Sequence, residues 1–211
     1  MSRTNRTGSA AVEGRTFLVT GGSASGKSDF AQRLAASLGE PVTYLATGKA
    51  EGAEMAWRIS KHRASRPGSW RTVEAPRGLA RALEAAGDPA PVVLLEDLGS
   101  LAAACLPRVD EQGGELALPQ AAIEQAQAAL DDEVDAVMRW CAGQGKALVI
   151  VTLEVGLGLL PLSPLSRLYK DVIGHANQRL AAAVDRTFLV VSGLPLDLTA
   201  LSSGTLAALK G

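Results

Sequence analysis

This sequence predicts an α/β fold built on a mostly parallel sheet with helices on both faces. Two observations carry that expectation. Short runs of aliphatic and β-branched residues alternate with longer stretches whose apolar positions recur at helical spacing. Most of the short runs also lack the polar residue at every second position that a one-sided sheet needs, so they read as strands buried on both faces. The candidate strands are Thr16–Thr20, Val42–Thr47, Arg71–Glu74, Val92–Glu96, Ala147–Thr152 and Thr187–Ser192.

The first helix is expected to start at a glycine loop and run to Leu38, with Phe30, Leu34 and Leu38 on one face and Gly39 ending it before Pro41. Between Pro119 and Ala142 the positions Ile123, Leu130, Val134, Val137 and Cys141 trace one apolar stripe, with Asp131, Asp132, Glu133 and Asp135 mostly off it. The Ala/Leu-rich tail after Leu198 reads as a surface helix. Met1–Arg15, rich in Arg, Ser, Thr and Gly without an apolar run, reads as a disordered leader, and residues 16–211 as a single domain. The loop-like segment Pro107–Pro119 is too short to separate two domains.

Composition narrows the function. Of 211 residues, 47% are apolar and 20% charged, enough for a filled core. The 21 Lys and Arg against 22 Asp and Glu leave no basic excess of the kind a general nucleic-acid binder carries. Aromatics at 4% leave little for stacking single strands. No nucleic-acid partner is therefore expected. No apolar stretch approaches the ~20 residues of a membrane span. Cys105 and Cys141 are far apart and without metal-ligand spacing, which fits a reduced, cytoplasmic protein better than a disulfide or zinc scaffold.

The glycine loop carries the chemistry. Thr16–Thr20 is followed by Gly21-Gly22-Ser23-Ala24-Ser25-Gly26-Lys27-Ser28, which fits G-x-x-x-x-G-K-[ST] with a strand before it and a helix after it. Small residues let successive N–H groups turn inward towards phosphate oxygens, and the positive end of the new helix adds to the field there. Lys27 is expected to neutralise the terminal phosphates, and the Ser28 hydroxyl to take one place around Mg²⁺. A second metal anchor is expected from the acid pair ending Val92–Glu96, either Glu96 or the adjacent Asp97. Side-chain alternation along a strand would turn only one of them to the site.

His62 ends a stretch in which Met55, Ile59 and His62 share a helical face and Arg58, Lys61, Arg63 and Arg66 crowd the imidazole. Such crowding favours the unprotonated ring and attracts a polyphosphate, the setting of a nucleophilic histidine; a solvated basic helix explains the same residues. His175 reads as structural or exposed.

The residues taken alone leave open a phosphate-loop kinase of another small alcohol, or a nucleotide-binding protein that has lost one or both activities. Taken together, however, the glycine loop, Tyr44-Leu45-Ala46-Thr47-Gly48, Glu54-Met55 with Arg58-Ile59 and His62-Arg63, Arg66-Pro67 with Trp70, the strand ending in Glu96, Glu154-Val155-Gly156, Asn177-Gln178 and Val190-Val191-Ser192-Gly193 occur in order. This set resembles the bifunctional adenosylcobinamide kinase / adenosylcobinamide-phosphate guanylyltransferase family of cobalamin biosynthesis, from about Phe17 to Leu196. The resemblance implies a RecA-like P-loop NTPase fold, usually a homotrimer. It implies transfer of a γ-phosphoryl group from ATP or GTP to adenosylcobinamide, then transfer of GMP from GTP, through the histidine matching His62, to adenosylcobinamide phosphate. It places catalysis on His62 and Lys27 and the metal on Ser28 and Glu96. Nucleotide contacts are implied at Gly21 to Ser28, at Ala46, Thr47 and Gly48, at Arg63, Ala64, Ser65 and Arg66, and at Glu74 and Glu96. Against the family pattern, Ala24 stands for a loop arginine, Gly52-Ala53 for an acidic pair, Ala104 for an asparagine and Leu153 for the asparagine before Glu154. A substrate as large and amphipathic as a corrinoid calls for an open cleft, with Pro107–Pro119 and Gly156–Pro164 as its expected walls.

Overall fold

The computed structural model describes residues 14–48, 52, 66–87, 89–107 and 120–208. Seven strands form one sheet: β1 (Thr16–Thr20), β2 (Val42–Ala46), β3 (Arg71–Glu74), β4 (Val92–Glu96), β5 (Ala147–Val151), β6 (Arg186–Val191) and β7 (Leu194–Asp197), in the order β3-β2-β4-β5-β1-β6-β7. The first six run parallel, and only β7 is antiparallel, to β6. The helices among the described residues are α1 (Lys27–Leu38), α2 (Leu79–Ala86), α3 (Leu98–Cys105), α4 (Gln120–Gly143), α5 (Pro164–Ala183) and α6 (Leu198–Ala208). The expected mostly parallel α/β sheet flanked by helices is the observed one, and each expected strand lies within a residue of its observed bounds.

Alternation of side chains divides the core into two layers. Leu18, Leu45, Val93, Leu95, Leu148 and Ile150 face one way and pack with Leu79, Leu83, Leu101, Leu130, Val134 and Ile173 of α2 to α5. Phe17, Val19, Tyr44, Leu94, Val149 and Val151 face the other way, against Ala31 and Ala35 of α1 and against Trp70. Covering both faces is what makes β4 and β5 continuous aliphatic runs, and each large side chain so buried contributes about 1.5–3 kcal/mol.

Two helical faces differ from expectation. In α1 the buried residues are Lys27, Ala31, Gln32 and Ala35, while Phe30, Leu34 and Leu38 flank them half-buried. The alanines allow the helix axis to lie close to the sheet, so they form the contact ridge. In α4 the stripe Leu130, Val134, Val137 and Cys141 is buried as expected, but Ala126 takes the deep position in the first turns and Ile123 only packs at its edge. The acids beside this stripe are engaged: Arg179 of α5 donates to Asp131 at 2.8 Å and to Asp135 at 2.7 Å. Glu133 accepts from the Gly78 and Leu79 N–H groups, capping the N-terminus of α2 from a neighbouring helix.

Strand β7 escapes the sequence reading. Leu194-Pro195-Leu196-Asp197 contains a proline, which a sheet accepts only at an edge, and β7 is an edge strand. It is joined to β6 by the two-residue turn Ser192-Gly193, both at positive φ (52° and 80°), the geometry whose twist suits a hairpin. Of the expected leader, residues 1–13 lie outside the described residues. The Arg15 carbonyl accepts from Leu148 N–H at 2.9 Å, and its guanidinium lies over the Phe17 ring. Cys105 and Cys141 are buried free thiols. Among the described residues no helix is long and apolar enough to cross a membrane.

Candidate active site

Because β1 to β6 are parallel, their C-terminal ends lie along one edge of the sheet, where open α/β sheets bind ligands. The glycine loop leaves β1 at this edge and turns into α1. Gly26 is left-handed (φ 88°), and a Cβ on it would approach Gly193 Cα to 3.0 Å. A Cβ on Gly21 would stand 2.5 Å from the Val190 carbonyl oxygen and 2.6 Å from Ser25 Oγ. The loop is held at both flanks: Glu154 N–H donates to the Gly21 carbonyl at 3.1 Å, and Gly193 N–H donates to the Ser25 carbonyl at 2.8 Å. Because the Val190 carbonyl belongs to β6 and has little room to retreat, Gly21→Ala is expected to destabilise the protein by about 1–3 kcal/mol. Urea denaturation with and without GTP checks this, and the shift in midpoint caused by GTP should shrink in the variant.

Lys27 opens α1 and is 8% exposed, with Nζ donating to the Gly22 carbonyl at 3.3 Å. Burial lowers its pKa, while the Asp97 and Glu96 carboxylates pull it back up. The charges of both acids reach this ammonium, that of Asp97 the more strongly. Strand β4 ends at Glu96, so alternation does not extend to Asp97, which caps α3 by accepting from Ser100 N–H at 2.7 Å. Ser28 follows Lys27, half-buried.

The other sequence-derived positions gather at the same edge. Ala46 ends β2, paired in register with Glu96 of β4 and Glu74 of β3. Thr47 is buried, its hydroxyl donating to the Asp97 carbonyl at 2.7 Å, and Gly48 follows half-buried beside Ser100. Arg66 is half-buried, donates to Thr72 Oγ1 at 3.1 Å and lays its guanidinium over the Tyr44 ring, 3.3 Å from the centroid. His62, Arg63, Ala64 and Ser65 lie outside the described residues.

Tyr44 is a contributor that sequence reasoning quotes but does not assign. Its phenol is buried and hydrogen-bonded to the Glu96 side chain; burial first, then the Glu96 charge, holds its pKa well above the usual phenol range. The signal is a phenol in a strand otherwise of small and apolar residues and one threonine, since a buried tyrosine hydroxyl needs a partner. Tyr44→Phe keeps the face on which Arg66 stacks but removes the donor to Glu96. The expected cost is about 1–3 kcal/mol of unfolding free energy, read by chemical denaturation. Asn177 on α5 has a comparable bracing role at the end of β5: Nδ2 donates to the Leu153 carbonyl at 2.8 Å, and Oδ1 accepts from the Thr152 hydroxyl at 2.7 Å. Leu153 Cδ1 and the Tyr169 hydroxyl both crowd Gly99 at the start of α3, standing 3.0 Å and 2.7 Å from where a Cβ would lie.

A buried lysine directly after a glycine loop, reached by the charges of Glu96 at the end of β4 and of Asp97 at the start of α3, is the arrangement of a nucleoside-triphosphate site. A comparison with known families decides which. The profile described as "Cobinamide kinase / cobinamide phosphate guanyltransferase" matches residues 17–198. The chain belongs to this family. Its relatives include the bifunctional adenosylcobalamin biosynthesis protein CobU of Salmonella typhimurium, 39% identical over 84% of this chain and 96% of the relative. CobU of Escherichia coli is 38% identical over the same shares, and CobP of Pseudomonas aeruginosa is 36% identical over 86% and 95%. The cobinamide kinase / guanyltransferase family is one of enzymes, and the resemblance read from the motifs is thereby borne out.

Proposed function

We propose that this chain is a bifunctional enzyme that phosphorylates adenosylcobinamide with ATP or GTP and then converts adenosylcobinamide phosphate to adenosylcobinamide-GDP. The observation that carries the reading is Lys27, buried at the start of α1 directly after the phosphate loop, with the charges of Glu96 and Asp97 acting on it. In the first reaction the aminopropanol hydroxyl attacks the γ-phosphorus, the bond to the β,γ-bridging oxygen breaks, and the nucleoside diphosphate leaves. The hydroxyl proton passes to a base. Loop amides from Gly21 to Ser28 and the Lys27 ammonium stabilise the charge that builds on the transferring oxygens.

In the second reaction the His62 imidazole attacks the α-phosphorus of GTP and pyrophosphate leaves, giving a guanylate–histidine phosphoramidate. A phosphate oxygen of adenosylcobinamide phosphate then displaces the histidine. Arg63, Ala64, Ser65, Arg66, Ala46, Thr47, Gly48 and Glu74 are the proposed remaining nucleotide contacts. The oxygen donors Ser28 and Glu96 fit Mg²⁺, which binds through one or two protein oxygens plus phosphates. When bound, it supplies charge neutralisation at the β and γ phosphates. A cytoplasmic homotrimer is the proposed working form.

Incubation with α-labelled GTP and Mg²⁺ tests the nucleotidyl half. Acid-labile, base-stable label reversed by pyrophosphate is expected. Transfer of γ-label to adenosylcobinamide tests the kinase half. Nucleotide binding with neither transfer overturns the proposal in favour of a binding protein, and γ-transfer without covalent guanylate points to a simple kinase.

A further inference from the structure

Beside the phosphate loop lies a cleft of about 400 Å³. One wall is Glu154 to Gly156, beyond the end of β5; the other is α5, where Lys170, Gly174 and Gln178 recur every fourth residue and so share a face. Gly174 creates the notch: a Cβ built there meets nothing within 4 Å. The near wall is tied to the catalytic edge, because Glu154 N–H donates to the Gly21 carbonyl and Asn177 holds the Leu153 carbonyl.

Two independent features describe what fits. The first is the lining, which mixes carboxylates (Glu154, Asp171), an ammonium (Lys170), an imidazole (His175) and a carboxamide (Gln178). Acids at the rim disfavour a second polyphosphate, whereas donors and acceptors of both kinds suit neutral amides. The second is the segment leaving this wall, where Leu157 is 88% exposed, Leu159 96%, Leu160 72% and Leu162 96%. Four leucines so exposed within six residues, on the segment that continues from the Gly156 wall of the cleft, call for a ligand with a broad hydrocarbon flank.

We propose that this cleft and the leucine segment 157–162 form the corrinoid subsite. The amide arms of the macrocycle lie against Glu154, Lys170 and Gln178, its hydrocarbon flank lies on the leucines, and the aminopropanol arm extends over Glu154 to the phosphate loop. A corrin ring carries amides and methyl-bearing hydrocarbon on one body, which is the pairing the two features require. The subsite rests on the function proposed above.

The test uses the full-length protein with adenosylcobinamide as the probe. Gly174→Trp fills the notch and is expected to raise KM for adenosylcobinamide in the kinase step at least about tenfold with little change in kcat, the pattern of lost ground-state binding. Leu159→Asp combined with Leu162→Asp should raise the same KM by a similar factor without changing the mass in solution. Covalent labelling by GTP serves as the folding control in all variants. Unchanged KM in both variants overturns the subsite. So does a leucine variant that changes the oligomeric state alone, which would assign the leucines to a contact between copies. If the wild type shows no turnover, the proposed function fails separately. Equilibrium dialysis of adenosylcobinamide then decides the subsite: binding to wild type that Gly174→Trp abolishes supports it, and equal or absent binding overturns it.

Discussion

His62→Ala is expected to carry no covalent guanylate and to lose guanylyl transfer by at least about 10³-fold, the scale on which removal of a covalent nucleophile acts. Alanine offers no group to attack the α-phosphorus, and direct displacement by adenosylcobinamide phosphate would bring two anionic phosphates together without an intermediate. The kinase step uses the terminal phosphate and makes no demand on an imidazole, so γ-transfer should persist within about tenfold. The measurement is paired: α-labelled GTP for the adduct and γ-labelled nucleotide for the product, on one preparation. Equal loss of both activities would mean that His62 serves the nucleotide site as a whole.

Lys27→Met acts on the other half. Methionine keeps an unbranched apolar stem of similar length in a position that is 8% exposed, so the fold should survive. It lacks the charge, and nothing would then offset the Glu96 and Asp97 charges as the γ-phosphoryl group is transferred. Loss of one preorganised donor at a transition state costs about 10²–10³ in kcat, and here an added repulsion goes with it. Steady-state kinetics on adenosylcobinamide with saturating ATP reads the loss, and circular dichroism confirms that the chain remains folded. Lys27→Arg should rescue little, because a planar fork does not replace a compact ammonium that approaches the Gly22 carbonyl at 3.3 Å.

Strands covered on both faces announce themselves, because burial removes most polar positions; hence β4 and β5 are legible as nearly continuous Val, Leu and Ile runs, and β1 and β2 as runs of apolar and β-branched residues. Strand β7 is not, since its Pro195 is permissible only through its place at the sheet edge, a fact of topology. The site divides likewise. The glycine loop is contiguous and carries its own spacing, so it can be read residue by residue. The bond from Tyr44 to Glu96 joins positions 52 residues apart and exists because β2 and β4 pair with Ala46 opposite Glu96. The nearness of both acidic charges to Lys27 depends on where β4 stops and α3 begins, a boundary that strand periodicity cannot see. The β6–β7 turn is quoted as Ser192-Gly193, yet its contact with Ser25 crosses 168 residues and appears only once the sheet is assembled.

That turn has a further consequence. With Gly193 holding one flank of the glycine loop and Glu154 the other, the backbone of the loop is fixed by the rest of the fold. On the function proposed above, a triphosphate arriving there meets a loop already held by the fold, and little conformational freedom is left to surrender on association. Loosening the hairpin, for instance by deleting its two turn residues, should therefore weaken nucleotide affinity through an unfavourable entropy visible by calorimetry, even though no atom of the hairpin need touch the nucleotide.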